Sequence, residues 1–316
     1  MIARKISVQR LPAYWYIYFL ALPSVVAVSL FAYFPAASGM YHAFFRWNGD
    51  YINEFISFTN FSEAVHDPIL WYGFGVIALL VAFNIVKMIP SIITAIVINR
   101  LKSEKSAYFY KVLFVVPMII PGMVTLLIWK FFYDPNAGLF NMLLKGTGVL
   151  PLMCKVDSFF HWGIFINGVN PIWLGDANLV LPSVIFWGFP WVGVVGVLIY
   201  LAGLQNIEKS IYEAADLDGI TSFKKLWYIE LPLILSQVRI NLVMMIIGTL
   251  QDYGLFLVLF GKEGGPNGKA MVPGLYMYVN AFVQQRAGYA CAIGILLFLF
   301  ILILTELNNR FVRIDK

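Results

Sequence analysis

Residues 204–232 read LQNIEKSIYEAADLDGITSFKKLWYIELP, a polar and charged stretch held between two long apolar runs, 179–201 and 233–260. Ile207, Ile211, Ala214 and Ala215 recur at helical spacing, with Glu208, Lys209, Glu213 and Asp216 on other faces. Asp218-Gly219 is a turn signal that ends this helix, because glycine takes a positive φ without a Cβ penalty. Thr221 or Ser222 can cap a second helix, in which Phe223, Leu226 and Trp227 recur at i, i+3, i+4. Pro232 suits the first turn of the apolar helix that follows, where no backbone N–H is needed. The expected local structure is a helix–turn–helix. Its small pair Ala214-Ala215 permits close approach of a partner surface, and Glu213 can accept hydrogen bonds or meet a basic residue. On periodicity alone, an amphipathic helix lying at a membrane interface is the simpler account.

The flanking runs decide the solvent. A soluble domain carries about 25% charged residues. This chain of 316 residues carries 12%, with 60% hydrophobic residues and a mean hydropathy of +0.79. So little charge cannot cover a water-facing surface, and lipid must be the main solvent. A spanning helix needs about 20 predominantly apolar residues, since its backbone groups must be satisfied internally. Six runs qualify: 14–34, 71–98, 112–133, 179–201, 233–260 and a short 289–304 that extends to either side. Pro23, Pro90, Pro117, Pro121 and Pro190 lie within or near them, where membrane helices tolerate and often kink at proline. The expected fold is therefore an all-α integral membrane protein of six transmembrane helices.

Lys and Arg set the orientation. Arg4, Lys5 and Arg10, then Arg100, Lys102, Lys105 and Lys111, then Lys209, Lys224, Lys225 and Arg239, then Arg310, Arg313 and Lys316 fall on one side. Arg46, Lys145, Lys155, Lys262, Lys269 and Arg286 are spread over longer loops on the other. Both termini and the Glu213 stretch are expected in the cytoplasm. The first run has the basic flank of a signal sequence and a small Ala36-Ala37-Ser38, but its length favours an uncleaved anchor. The net charge of +5 is topological and gives no reason to expect nucleic acid.

On the outer side, Phe58–Val65 reads as a short interfacial helix, 134–178 as a long loop rich in Gly, Pro, Asn and aromatics, and Gly264-Gly265-Pro266-Asn267-Gly268 as a turn. Cys154 and Cys291 do not suggest a disulfide framework, and His42, His66 and His161 are not at metal-ligand spacing. No Gly-x4-Gly-Lys-Ser/Thr loop is present, so ATP hydrolysis by the chain itself is not expected. An enzyme acting on lipid-linked sugars would need a catalytic constellation near the interface. His66-Asp67 is a poor candidate, because adjacent side chains need not converge.

The order Glu213-Ala214-Ala215, Gly219, Ile229, Leu231-Pro232 resembles the cytoplasmic coupling motif of ATP-binding-cassette import permeases. Leu201–Ile207, Pro117–Pro121 with Trp129 and Gly138–Asn141, Gly264-Gly265-Pro266 and Gly288-Tyr289-Ala290 are similar to the carbohydrate branch, which includes maltose, glycerol-phosphate and oligosaccharide permeases. The resemblance covers the chain from about Phe58, and implies a permease domain over 58–310 after an N-terminal region 1–57, with a tail at 311–316. It further implies the type I importer fold and a second permease as partner. An ATPase dimer would bind the ATP and Mg, a solute-binding protein outside would deliver a saccharide, and no cofactor is needed. Departures are Glu208 in place of a frequent proline, Gly73-Phe74 in place of Asn-Thr, and a longer 145–170 loop whose Phe159, Phe160, Trp162 and Phe165 suggest a specialised outer surface. Transport of another solute, such as glycerol phosphate or a polyamine, remains an alternative.

Polar groups inside spans are costly and face a cavity or another helix. Run five carries Thr249, Gln251 and Asp252; the first and last share a face at i, i+3, near where related maltose-type permeases contact sugar. The alternative for them is a hydrogen bond between helices. Run two carries Asn84 and Lys87; Lys87 can meet an anionic substrate, pair with Asp252, snorkel, or sit at a subunit interface. Trp187 and Trp191 offer flat faces that stack on sugar rings or simply pack.

Overall fold

The structure is a computed structural model that describes residues 15–161 and 163–311, with the backbone alone at Tyr16 and Phe311. Tyr14, Arg4, Lys5, Arg10, Trp162, Arg313 and Lys316, named above, lie outside the described residues. The chain divides into two compact units, each described here by itself.

One unit holds the residues up to His66 together with Asn280–Ile295. It begins with α1 (Trp15–Val28), which continues through a π-helical turn, Ser29–Tyr33, into α2 (Phe34–His42). The apolar side chains along this helix are exposed, a surface for lipid to cover. A hairpin absent from the expected all-α fold follows, β1 (Phe45–Trp47) pairing antiparallel with β2 (Asn53–Phe55). Then comes the expected interfacial helix, α3 (Thr59–His66). Asn60 ties hairpin to helix, its Nδ2 donating to the carbonyls of Ala43 (2.8 Å) and Phe45 (2.9 Å). Gly288 must be glycine here, because a Cβ would stand 2.0 Å from the Phe45 carbonyl oxygen.

The other unit holds Asp67–Val279 and the residues from Leu296. Asp67 caps α4 (Pro68–Asn99), accepting from the Ile69 and Leu70 N–H groups. At about 1.5 Å per residue, the 32 residues of α4 outreach the roughly 30 Å hydrocarbon layer. The third apolar run is not one helix. It is α5 (Glu104–Val115), a 3-10 turn and α6 (Gly122–Phe132), bent by 87° where Pro117 and Pro121 withdraw backbone donors. The supposed loop 134–178 contains α7 (Leu139–Gly146) and α8 (Val149–Phe160). Run four breaks into α9 (Val180–Phe186) and α10 (Val194–Gln205).

The polar stretch gives α11 (Lys209–Leu217) and α12 (Ser222–Lys225). A π-turn, Leu226–Glu230, leads to α13 (Leu231–Leu233), and the chain bends by 68° before α14 (Leu235–Gln251). Pro232 therefore lies ahead of that bend and not in the first turn of the membrane helix. Lacking an N–H for the Tyr228 carbonyl, it accompanies a widened turn in which Leu231 N–H reaches Leu226 instead. Run five also breaks, into α14 and α15 (Gly254–Phe260). Beyond lie the predicted glycine-rich turn, α16 (Pro273–Tyr278), and α17 (Ala287–Phe311), which extends the last run at both ends. Among the described residues, three helices are long and apolar enough to cross a membrane whole: Ile17–His42, Pro68–Asn99 and Ala287–Arg310. They answer to runs one, two and six, while runs three to five are broken spans.

Candidate functional site: a membrane cavity and a coupling segment

α4 and α10 pack through a core of Ala95, Ile96, Ile98, Val197, Tyr200, Leu201 and Leu204, joined by Ile234 from the bend before α14. Above this core a cavity of about 440 Å³ opens between α4, the two broken spans and their ends. Asn84, Lys87, Trp187, Trp191, Thr249 and Asp252 all line it. Six of the seven pathway candidates are thus brought together, while Gln251 is exposed and faces elsewhere. An adjoining space of about 220 Å³ shares Asn84, Lys87 and Trp191.

The two chain breaks build the walls. Between α9 and α10, Gly188 and Trp191 adopt positive φ (+80° and +61°), an uncommon state for tryptophan. Irregular backbone at membrane depth persists where it lines a cavity and its polar groups find partners. Ser91 of α4 supplies two of these: its Oγ donates to the Trp191 carbonyl (3.3 Å) and accepts from the Gly193 N–H (2.9 Å). Lys87 Nζ points to the Val184 carbonyl at a long 3.5 Å and stands 5.9 Å from the Trp191 ring. At the second break, Asp252 leaves the helix, and its Oδ1 accepts from the Leu255 N–H (3.1 Å), capping α15. Asp252 and Thr249 reach the cavity without the shared helical face expected of them. Asn84 Nδ2 donates to Thr249 Oγ1 (2.9 Å), which joins α4 to α14. Lys87 and Asp252 form no ion pair. The indole N–H groups of Trp187 and Trp191 are buried without an acceptor.

On the far side of the core lies the segment 204–232, the one expected to couple to an ATPase. α10 and α11 meet at a 74° bend, and Ile207, outside α11, packs with Leu226 against the α4–α10 core. α11 ends as Asp218-Gly219 predicts: Gly219 takes φ +68°, its N–H reaches the Asp216 carbonyl, and Ile220 N–H reaches Ala215. Thr221 caps α12 through the Lys224 N–H, and Lys225 pairs with Asp216 across the turn. Glu213 and Ala214 face outward, whereas Ala215 is buried within the chain, so only one alanine of the pair is open to a partner. Ile229 and Leu231 are half-buried and Pro232 is exposed. Leu217 (89% exposed), Phe223, Trp227 and Tyr228 form an apolar surface around them.

Sequence reasoning missed Glu230. It is fully buried (0% exposed) and takes two bonds from Arg100, Nε–Oε1 at 3.0 Å and Nη2–Oε2 at 2.6 Å. The same guanidinium donates to the Ser222 carbonyl (2.8 Å), and Tyr212 OH reaches Glu230 at 3.5 Å. Burial and then the Glu230 carboxylate push the Tyr212 phenol up to about 12, so it stays a neutral donor. The end of α4 is thereby bolted to both halves of the coupling segment. The available signal was an acid inside the apolar run Leu226–Ile234. His66 bonds the Ser62 carbonyl, and Asp67 caps α4 and accepts from Tyr276 OH.

In the unit that holds Asp67–Val279, whole and broken apolar helices, a cavity lined by polar side chains and an exposed helix–turn–helix define a transport subunit. The chain belongs to the family described as binding-protein-dependent transport system inner membrane component, whose profile matches residues 88–313. It is a component of a membrane transport system and not an enzyme. It is 28% identical to the diacetylchitobiose uptake system permease protein NgcF of Streptomyces coelicolor, over 93% of this chain and 80% of that one. It is 29% identical to the multiple sugar-binding transport system permease protein MsmF of Streptococcus mutans, over 94% of each. Its fold matches a chain of a bacterial alginate ABC transporter, crystallised with an alginate pentasaccharide-bound periplasmic protein, at a TM-score of 0.74 and 19% identity over 96% of each.

Proposed function

We propose that this chain is one of two permeases that together form the path of a saccharide through a bacterial plasma membrane, with 58–310 as its permease domain and both termini in the cytoplasm. An extracytoplasmic binding protein delivers the saccharide. An ATPase dimer docks on Glu213, Ala214 and the apolar surface around Gly219, and its closure drives the switch of the cavity between sides. The observation that carries this reading is the junction of cavity and coupling segment on one rigid element. α4 bears Asn84 and Lys87 in the cavity wall, and Arg100, which caps its C-terminal end, lies under the coupling segment. A push on α11–α12 is therefore a push on the wall. The uptake systems named for NgcF and MsmF support saccharide as the cargo. The test is ATP hydrolysis by the reconstituted complex with its binding protein, challenged with oligosaccharides, glycerol phosphate and spermidine. Stimulation by a saccharide is expected. Stimulation by glycerol phosphate or spermidine alone would refute the choice of cargo.

A further inference from the structure

The helices α7 and α8 stand apart from both the cavity lining and the coupling segment, in the stretch whose length and aromatics distinguish it. At about 100° per residue, Val149, Leu152, Val156 and Phe159 of α8 fall in one stripe, at i, i+3, i+7 and i+10. All four are exposed, Phe159 by 76%. A second face is buried in the protein through Leu150 and Asp157, and a third carries the exposed Lys155 and Ser158. α8 is thus apolar on a side turned away from its own chain. It is also held firmly. Asp157 accepts from the N–H groups of Gly163 (3.0 Å) and Ile164 (2.9 Å), just past the end of α8. In α7, Asn141 donates to the carbonyls of Pro135 (3.0 Å) and Pro171 (3.1 Å) and accepts from the Trp173 indole (2.9 Å). A stripe fixed in this way cannot fold under, and it needs a cover from outside the chain.

We propose that α7 and α8 form an interfacial anchor seated in the lipid leaflet opposite the coupling segment, with the α8 stripe in the acyl boundary and Lys145 and Lys155 at the phosphates. Composition selects lipid as the cover: together the two helices are long and apolar enough to count as a span. Their geometry forbids crossing. They are bent by 88°, and the 12 residues of α8 reach only about 18 Å against a hydrocarbon layer of roughly 30 Å. Their root lies at the boundary. Phe140 packs on Trp129 and Tyr133 at the end of α6 (5.7 and 4.9 Å between ring centroids), and such Trp and Tyr clusters mark the membrane–water interface. Charge agrees, since Lys145 and Lys155 are exposed while Asp157, the one acid between Leu139 and Phe160, is buried. The side follows from Tyr133, whose OH bonds the Ser183 carbonyl (2.7 Å) in α9. α9 lies before the break at the cavity, and α10 runs from that break to the coupling segment. The inference takes the membrane reading above and is independent of the cargo.

The test uses the complete complex in nanodiscs of phosphatidylethanolamine and phosphatidylglycerol. Cys154→Ser and Cys291→Ser form the background, and a single Phe159→Cys carries an environment-sensitive fluorophore. Nitroxide on the lipid, close below the headgroup, should quench the label, and iodide in the water should not. A label at Ser158→Cys, one residue away on the wet face, should show the reverse. Leu152→Cys, in the stripe, should behave as Phe159→Cys and carries the test if that variant is not recovered. Lys145→Glu with Lys155→Glu should reduce the lipid quenching at Phe159→Cys, because acids are repelled by anionic headgroups. Quenching by iodide without quenching by lipid overturns the anchor, since the stripe then stands in water. Protection from both quenchers overturns it too, since a second permease then covers the stripe, as does protection that appears only when the binding protein is added. Equal behaviour of the Phe159→Cys and Ser158→Cys labels overturns it as well. ATP-driven uptake by the same complex, read alongside, keeps failure of the anchor distinct from failure of the transport reading.

Discussion

Arg100 and Glu230 can be taken apart in two unequal ways. Arg100→Met leaves the Glu230 carboxylate fully buried with one weak partner, Tyr212 OH at 3.5 Å. Breaking a buried pair in this sense costs about 3–5 kcal/mol. Glu230→Gln keeps the volume and one acceptor oxygen, and it leaves the charge on Arg100, whose side chain is one-third exposed and can still be hydrated. Its cost should be nearer 1–3 kcal/mol. Arg100→Met with Glu230→Met removes both charges at similar volume, and such replacements are often neutral or stabilising. The double variant should therefore recover most of what Arg100→Met loses. The assay is the thermal midpoint of the detergent-solubilised complex, read as a double-mutant cycle, with ATPase co-purification as a second readout. An Arg100→Met variant no less stable than Glu230→Gln, or a double variant no better than Arg100→Met, would refute the reasoning.

Three further expectations follow from the geometry. Gly219→Val places a β-branched residue at φ +68°, where a Cβ would meet nothing, so the cost of about 1–2 kcal/mol is backbone strain alone; co-purified ATPase and uptake should fall while the spans keep their heat stability. Asp252→Ala removes the α15 cap, worth about 0.5–2 kcal/mol, and an acceptor in the cavity, so substrate-stimulated ATP hydrolysis should weaken while the complex still assembles. Thr249→Val removes the acceptor for Asn84, and a hydrogen bond between membrane helices is worth about 0.6 kcal/mol, so its thermal midpoint should shift far less than that of Arg100→Met.

Much of this was legible in the residues. The turn at Asp218-Gly219 and the cap at Thr221 are local backbone chemistry, and they lie where the spacing puts them. The apolar runs mark the membrane segments, because lipid selects composition. Composition is blind to what happens inside a run. Trp187–Gly193 and Asp252–Tyr253 stay apolar or aromatic enough to read as helix, yet Gly188, Pro190 and the Asp252 cap interrupt it. Those two interruptions are what make the cavity, so its lining residues could be named while its shape could not. α7 and α8 were hidden by glycines and prolines that lie at their ends as well as in loops. Arg100 and Glu230 are 130 positions apart, and only the packing of α4 under the coupling segment shows them to be partners.

On the proposal above, this chain turns ATP hydrolysis by a partner into passage of a saccharide through its own cavity. The direct measurement is uptake of labelled oligosaccharide by proteoliposomes holding the complete complex, with and without ATP on the ATPase side, for the wild type and for Glu213→Ala with Gly219→Val. The wild type should show ATP-dependent uptake, and the double variant, which holds its partner ATPase less well, should lose it. Uptake by the double variant at the wild-type rate, or ATP hydrolysis by this chain purified alone, would contradict it.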